Sequence, residues 1–364
     1  MTIFNPKVFD TTKQYMFFGE ELNVARFDKQ RYEKLESLTE QQHGFFWKPA
    51  EVDISRDRYD FNHKLTEHER KIFISNLQYQ TLLDSVQGRA PTQVLLPICS
   101  LPELEGWIEA WSFSESIHSR SYTHIIRNVF DDPSKVLDEV LVTPEILERS
   151  KTVTKYYDEL EEKCLKYRLG MDVDIKDCKE TLLKCLFSVY CLEHIRFYAS
   201  FACSYSFNER RLMEGNSKII KLINRDEFLH QGAVHFMLTR FQKGLDDPDM
   251  TEIFNSNTTW LREMVGEVYE QECDWCDFLF KDGSMVGLNA KILKSFVEYQ
   301  CNTCLLSIGL EPLTSLTTNP LPWMEAYTNA DKTQVAPQES EISSYLIGAI
   351  NKSVDKEELK SYKL

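Results

Sequence analysis

Two Glu-x-x-His pairs, Glu115–His118 and Glu227–His230, constrain this 364-residue chain more than any other feature. Each lies in a stretch whose apolar spacing predicts a long helix. Residues three apart on a helix share a face, so each pair can aim a carboxylate and an imidazole at one point. Two such pairs on two helices, with a further carboxylate from each of two others, are the ligand set of a di-metal site inside a helical bundle. Asp84 and Glu193 are the candidates for the extra two. The expected fold is all-α, a bundle of long helices around a buried site.

Composition supports long helices. Only 13 glycines and 12 prolines interrupt the chain, and 42% hydrophobic content is enough for a sizeable core. The net charge of −15 argues against nucleic acid and anionic membrane as partners. The first ten residues lack a basic region followed by an apolar one, so no secretory signal is expected. The longest apolar stretch, Cys185 to Phe207, is interrupted by Glu193, His194 and Arg196, which predicts a buried core helix rather than a membrane span. Ten cysteines without such a signal predict reduced thiols and a cytoplasmic protein.

Along the chain, residues 1–25 form an N-terminal segment, 26–328 a helical domain and 329–364 a flexible tail. A helix is expected from Asp28 to about Gln42. Thr66-x-x-Glu69 predicts a capping box opening the helix that carries Asp84. Ser100-x-x-Glu103, with Pro102 in the first turn, predicts the start of a long helix reaching Val129. Thr143-Pro144-Glu145 starts another, to about Tyr167. Further helices are expected at Asn216 to Phe241, and roughly at 250–280 and 288–308.

A single Glu-x-x-His match carries little weight, since about one is expected by chance from 8 histidines. Glu40-Gln41-Gln42-His43 is such a match, flanked by polar residues at a helix end. The other two pairs differ. Trp107 and Trp111 precede Glu115 at helical spacing, Ile223 precedes Glu227, and Glu193 lies among Leu192, Ile195, Phe197 and Phe201. Buried carboxylates are costly unless paired or metal-bound. Four of them are neutralised by two divalent cations. Tyr122 follows Glu115 and His118 on the same stripe. There a tyrosine is ordinarily core, but beside a dioxygen-activating pair it is oxidisable. Its proton then needs a base, for which a metal-bound oxygen and Asp84 are the candidates. The pairs Cys273–Cys276 and Cys301–Cys304 raise a structural zinc site or a redox dithiol as alternatives. Both lie in helical pattern without glycine-rich knuckles, so free thiols are the expectation.

The sequence resembles the small, radical-generating subunit of class I ribonucleotide reductase over nearly its whole length. The resemblance is carried by Met16-Phe17-Phe18-Gly19, Phe45-Phe46-Trp47-Lys48-Pro49, Tyr79 to Ser85, Phe113 to His124, Leu192 to Tyr198, Arg225 to His230, Ala336 to Glu339 and Ser344-Tyr345-Leu346. It implies a ferritin-like bundle and a homodimer. It implies that Asp84, Glu115, His118, Glu193, Glu227 and His230 bind two irons, with manganese the alternative those donors also accept. The reduced pair would react with dioxygen, leaving an oxo-bridged diferric centre and a stable radical on Tyr122, with electrons for assembly from a separate reductant. Phe197, Phe201 and Ile223 would wall the radical. Trp47 and Asp226, through His118, would begin an electron route that Tyr345 continues to the large subunit, where ribonucleotides are reduced. Glu339, Tyr345, Tyr362 and Leu364 would dock there. The paired cysteines lie outside the family pattern. His194 stands where a smaller residue is commoner and is expected to point away from the metals. Rival readings are a ferritin-like ferroxidase, a di-metal oxygenase with an open channel, and a helical interaction protein with merely superficial carboxylates.

Overall fold

Long helices dominate the computed structural model, which describes residues 4–328. In chain order they are α1 (Glu33–Gly44), α2 (Ser55–His63), α3 (Glu67–Gln87), α4 (Pro102–Val129), α5 (Pro133–Asp138), α6 (Pro144–Arg168), α7 (Ile175–Cys191), α8 (Phe197–Asn208), α9 (Glu214–Gln242), α10 (Pro248–Ser256), α11 (Thr258–Phe280), α12 (Ala290–Ser307) and α13 (Glu325–Thr328). No strand is present among the described residues. The architecture is an all-α, ferritin-like bundle, as expected. Residues Glu339, Tyr345, Tyr362 and Leu364, with the rest of the 329–364 tail, lie outside the described residues.

Several helix ends follow their local chemistry. The Thr66 amide donates to Glu69 Oε2 at 2.9 Å, which closes the expected box at the start of α3. The Ser100 signal is read differently. Its hydroxyl accepts from Gly19 N at 2.7 Å, and Glu103 Oε1 accepts from the amides of Arg31 and Tyr32 at 2.9 and 3.0 Å. Leu101 is therefore the cap of α4, without a side-chain bond, and Pro102 starts the helix. The same Glu103 contacts explain why α1 begins at Glu33 rather than Asp28, because they fix Arg31 and Tyr32 in front of it. Asp57 takes the amides of Gly215 and Asn216 at 3.1 and 2.5 Å, so α9 starts at Glu214, slightly before the expected Asn216. At Gly215 a Cβ would meet Asp53 O at 2.7 Å; only glycine admits that approach.

The stretch expected as one helix over 250–280 is two. Asn257 Nδ2 donates to Ile253 O at 2.9 Å and breaks the ladder between α10 and α11. The apolar run Cys185 to Phe207 is buried throughout, as expected, but it is not a regular helix. Leu192–Arg196 forms a π-helical turn between α7 and α8. Among the described residues no helix is long and apolar enough to cross a membrane.

A second buried polar group braces that turn. Arg196 donates to Glu272 Oε1 at 2.9 Å and to Gln271 Oε1 at 2.6 Å, and Arg149 also pairs with Glu272. The Arg149 guanidinium lies 4.1 Å from the Tyr79 ring and 4.6 Å from that of Trp275. Glu272 is fully buried. Its replacement in Glu272→Ala strands two buried guanidiniums, so we expect a loss of about 3–5 kcal/mol, read by denaturant unfolding.

Candidate metal centre

Asp84 comes from α3, Glu115 and His118 from α4, Glu193 from the π-helical turn, and Glu227 and His230 from α9. All six are fully buried. They fall into two overlapping groups: Asp84, Glu115, His118 and Glu227 in one, Glu115, Glu193, Glu227 and His230 in the other. Within each group the ligating atoms lie within 4.8 Å of one another. Glu115 and Glu227 belong to both, so two cations held here would draw on these two carboxylates in common.

The imidazoles turn Nδ1 inward. His118 Nδ1 is 3.1 Å from both Glu115 Oε2 and Glu227 Oε1; His230 Nδ1 is 2.8 Å from Glu227 Oε2 and 3.1 Å from Glu115 Oε1. Burial alone would lower both imidazole pKa values. The surrounding carboxylates, Glu227 first for His118 and Glu115 first for His230, reverse that, and His230 rises to about 9. Burial, and then the neighbouring charges of Glu115 and Glu227, push Asp84 well above the usual carboxylate range. Burial followed by Glu227 does the same to Glu193.

Oε2 of Glu193 has no hydrogen bond, and Asp84 has no donor near it but the Tyr122 hydroxyl. Buried acceptors left this way are costly. Four carboxylates and two imidazoles with unused oxygens fit two divalent cations in charge and in donor type.

Surrounding groups fix the ligands. Trp111 Nε1 donates to Glu115 Oε1 at 2.9 Å. Gln87 Nε2 donates to Glu193 Oε1 at 2.9 Å, and the Tyr157 hydroxyl holds Gln87 Oε1 at 3.0 Å. Sequence reading missed these roles. Trp111 stands four before Glu115 and Gln87 three after Asp84, so helical spacing could have suggested both; nothing marked Tyr157. Trp47 Nε1 donates to Asp226 Oδ2 at 2.8 Å, and that oxygen is 3.2 Å from His118 Nε2. Trp47, Asp226 and His118 thus form one connected chain. Despite burial, Asp226 is held below its usual pKa by His118, Arg225 and Trp47.

Tyr122 is fully buried, and its hydroxyl lies against Asp84. Burial, and then the charges of Asp84 and Glu227, push its pKa well up. Phe197, Phe201 and Ile223 are also fully buried. His194 points elsewhere, as expected: its Nε2 is 3.0 Å from Thr303 Oγ1 and its Nδ1 contacts Gln231. Glu40 and His43 are exposed. The paired cysteines carry free thiols, three of them buried, and neither candidate metal group contains a cysteine.

A helical bundle converging four carboxylates and two imidazoles in its interior is a ferritin-like protein of the di-metal carboxylate class. The chain belongs to the ribonucleotide reductase small-chain family. The family model "Ribonucleotide reductase, small chain" matches residues 25–320. The chain is 50% identical to the ribonucleoside-diphosphate reductase subunit beta of Haemophilus influenzae, covering 100% of this chain and 99% of that one. It is 48% identical to reductase 1 subunit beta of Escherichia coli O157:H7, with the same coverage. Among solved structures, the R2 subunit of Clostridium botulinum superposes with a TM-score of 0.80 at 24% identity, covering 90% of this chain and 98% of that one. The dimanganese(II)-NrdF of Streptococcus sanguinis gives 0.64 at 20% identity, covering 81% and 94%.

Proposed function

We infer that this chain is the radical-generating small subunit of a ribonucleoside-diphosphate reductase. The observation that carries the reading is the pair of overlapping ligand groups sharing Glu115 and Glu227, with the Tyr122 phenol buried among their charges. Family membership agrees with it. Asp84, Glu115, His118, Glu193, Glu227 and His230 hold two metal ions, which we assign as iron; the same donors accept manganese. When bound, the ions supply electrons to dioxygen and the oxidising power to take one electron from Tyr122.

The protein's own groups do the rest. Trp111 and Gln87 orient Glu115 and Glu193 by donating to them. Asp84 is the base placed for the Tyr122 proton, its two oxygens being otherwise unbonded. Phe197, Phe201 and Ile223 exclude water from the phenoxyl. His118, Asp226 and Trp47 form the near end of an electron route leading from the site along their hydrogen bonds. A ferroxidase or an oxygenase has no use for that chain.

The partners are the large subunit, a second copy of this chain, and a reductant for assembly. Phe46 and Phe113, stacked at 6.1 Å and about half exposed, offer apolar surface to a protein partner. The net charge of −15 supports a protein that does not bind nucleic acid, and ten free-thiol cysteines support the cytoplasm. The tail, with Glu339, Tyr345, Tyr362 and Leu364, docks on the large subunit, and Tyr345 relays the radical. With the large subunit present, Tyr345→Phe is expected to keep the Tyr122 signal and to lose nucleotide reduction. Retained turnover removes the relay role.

A further inference from the structure

We propose that Cys191 and Cys304 are a disulfide-forming pair: oxidised by small uncharged peroxides, they tie the turn that carries Glu193 to α12 and weaken metal binding by the group of Glu115, Glu193, Glu227 and His230. The effect on metal rests on the function proposed above; the disulfide does not.

Sequence spacing couples Cys304 with Cys301 on one helix, but the fold gives Cys304 a partner from another. The end of α7 and the π-helical turn after it run antiparallel to α12. The Tyr190 hydroxyl and Ser307 Oγ are 2.8 Å apart, and His194 Nε2 lies 3.0 Å from Thr303 Oγ1. Gln300 Nε2 reaches His194 O at 3.4 Å. Cys191 follows Tyr190 and Cys304 follows Thr303, so the two cysteines stand between these rungs, one from each helix. Their thiols hydrogen-bond each other. Side chains as short as serine and threonine bridge two helices only where the backbones are close, which is what a disulfide requires.

The surroundings select the oxidant. Cys191 and Cys304 are fully buried, as are Tyr190 and Leu305 beside them. Burial, and then the bond to Cys191, push the Cys304 thiol well above its usual pKa. An enclosed, protonated thiol reacts slowly and is closed to charged or bulky oxidants. Hydrogen peroxide is neutral and about the size of water.

The step balances. One thiol attacks peroxide, the O–O bond breaks, and a sulfenic acid and water form. The second thiol displaces hydroxide from that sulfenic acid, the S–S bond forms, and the hydroxide leaves as water with the thiol proton. Two thiols lose two electrons, and peroxide gains them.

The consequence follows from position. Cys191 directly precedes the turn Leu192–Arg196, and Glu193 lies two residues on. That turn is held elsewhere by Gln231 at His194, by Glu272 at Arg196 and by Gln87 at Glu193. A covalent S–S bond is shorter than a thiol hydrogen bond, so oxidation draws the end of α7 towards α12. Metal–ligand distances tolerate only about 0.2 Å, and Glu193 moves with its turn. By linkage, bound metal opposes disulfide formation by the same factor.

Two measurements test it. In the first, the metal-free full chain is treated with hydrogen peroxide, freed of it, alkylated and digested. A peptide linked through Cys191 and Cys304, assigned by fragmentation, is expected from the parent and from neither Cys191→Ser nor Cys304→Ser. Its absence from the parent overturns the pair. Oxidised glutathione is expected to give no link in the folded chain, and an equal yield overturns the oxidant class. In the second, manganese(II) binding is measured by anaerobic dialysis. The oxidised parent is expected to bind at least about tenfold more weakly than the reduced parent, with dithiothreitol restoring it, and preloading with manganese to slow the link by a similar factor. Peroxide-treated Cys191→Ser and Cys304→Ser are expected to bind like the reduced parent. Unchanged affinity in the oxidised parent, or equal weakening in the treated variants, overturns the coupling. A reduced parent that binds no manganese counts against the function proposed above, and the peptide map then decides the pair by itself.

Discussion

Tyr122→Phe, reconstituted with ferrous iron and air, is expected to show no stable tyrosyl signal by electron paramagnetic resonance while binding as much metal as the parent. The two readouts separate because the phenol ring and its hydroxyl do different things. The ring is fully buried core in α4, and phenylalanine keeps that volume. The hydroxyl lies against Asp84, whose oxygens the metals hold in the loaded protein, so its removal should leave the stability of that form within about 1 kcal/mol of the parent. Glu115, His118, Glu193, Glu227 and His230 make no hydrogen bond to the phenol oxygen, and Asp84 is held in place by α3. What disappears is the group from which the electron is taken. A full-strength signal in the variant refutes the assignment; loss of metal together with the signal shows instead that the phenol supports the site.

Much of this centre could be read before any coordinates, and the reason is geometric. Helical spacing fixes relative direction within one rod, so Glu115, His118 and Tyr122 on α4, and Glu227 and His230 on α9, were legible as faces. Glu193 was legible from chemistry, as a carboxylate among Leu192, Ile195, Phe197 and Phe201. What spacing does not encode is contact between rods. The Tyr157–Gln87–Glu193 chain joins three elements, and only its Gln87 member shares a helix with a ligand. The π-helical turn at Leu192–Arg196 is similarly hidden, because no glycine or proline marks it. It is stabilised from outside, where Glu272 on α11 receives Arg196. Ser100-x-x-Glu103 with Pro102 placed the start of α4 rightly, but the two side chains do not cap it, because a neighbouring segment claims them at Gly19 and at Arg31–Tyr32. Asn257 broke a helix by bonding back to Ile253, which asparagine does in some contexts and not in others.

Removing the metals is expected to make stability fall steeply as pH rises. In the metal-free protein Asp84, Glu193, His118 and His230 all have pKa values above those of the unfolded chain. Groups of that kind stabilise the fold fully below their unfolded pKa and lose that contribution as pH climbs through the folded value. For His230 the window runs from an unfolded value near 6.5 to about 9, which is worth about 3 kcal/mol. His118 declines through the same region and beyond it. Asp84 and Glu193 begin to decline at more acid pH, from the ordinary carboxylate range upward. Glu227 and Asp226 move oppositely, being held low by the imidazoles, but their contribution fades only in acid. Between about pH 5 and 9 every shifted group of the cluster therefore acts in one direction. Divalent cations replace the protons, so the loaded protein should show a nearly flat melting temperature across that range, and loading should release protons measurable in weak buffer. Scanning calorimetry of chelator-treated and loaded protein at pH 6 and pH 9 checks this. Equal pH slopes in the two forms would show that the carboxylates and imidazoles do not share one charge-balanced site.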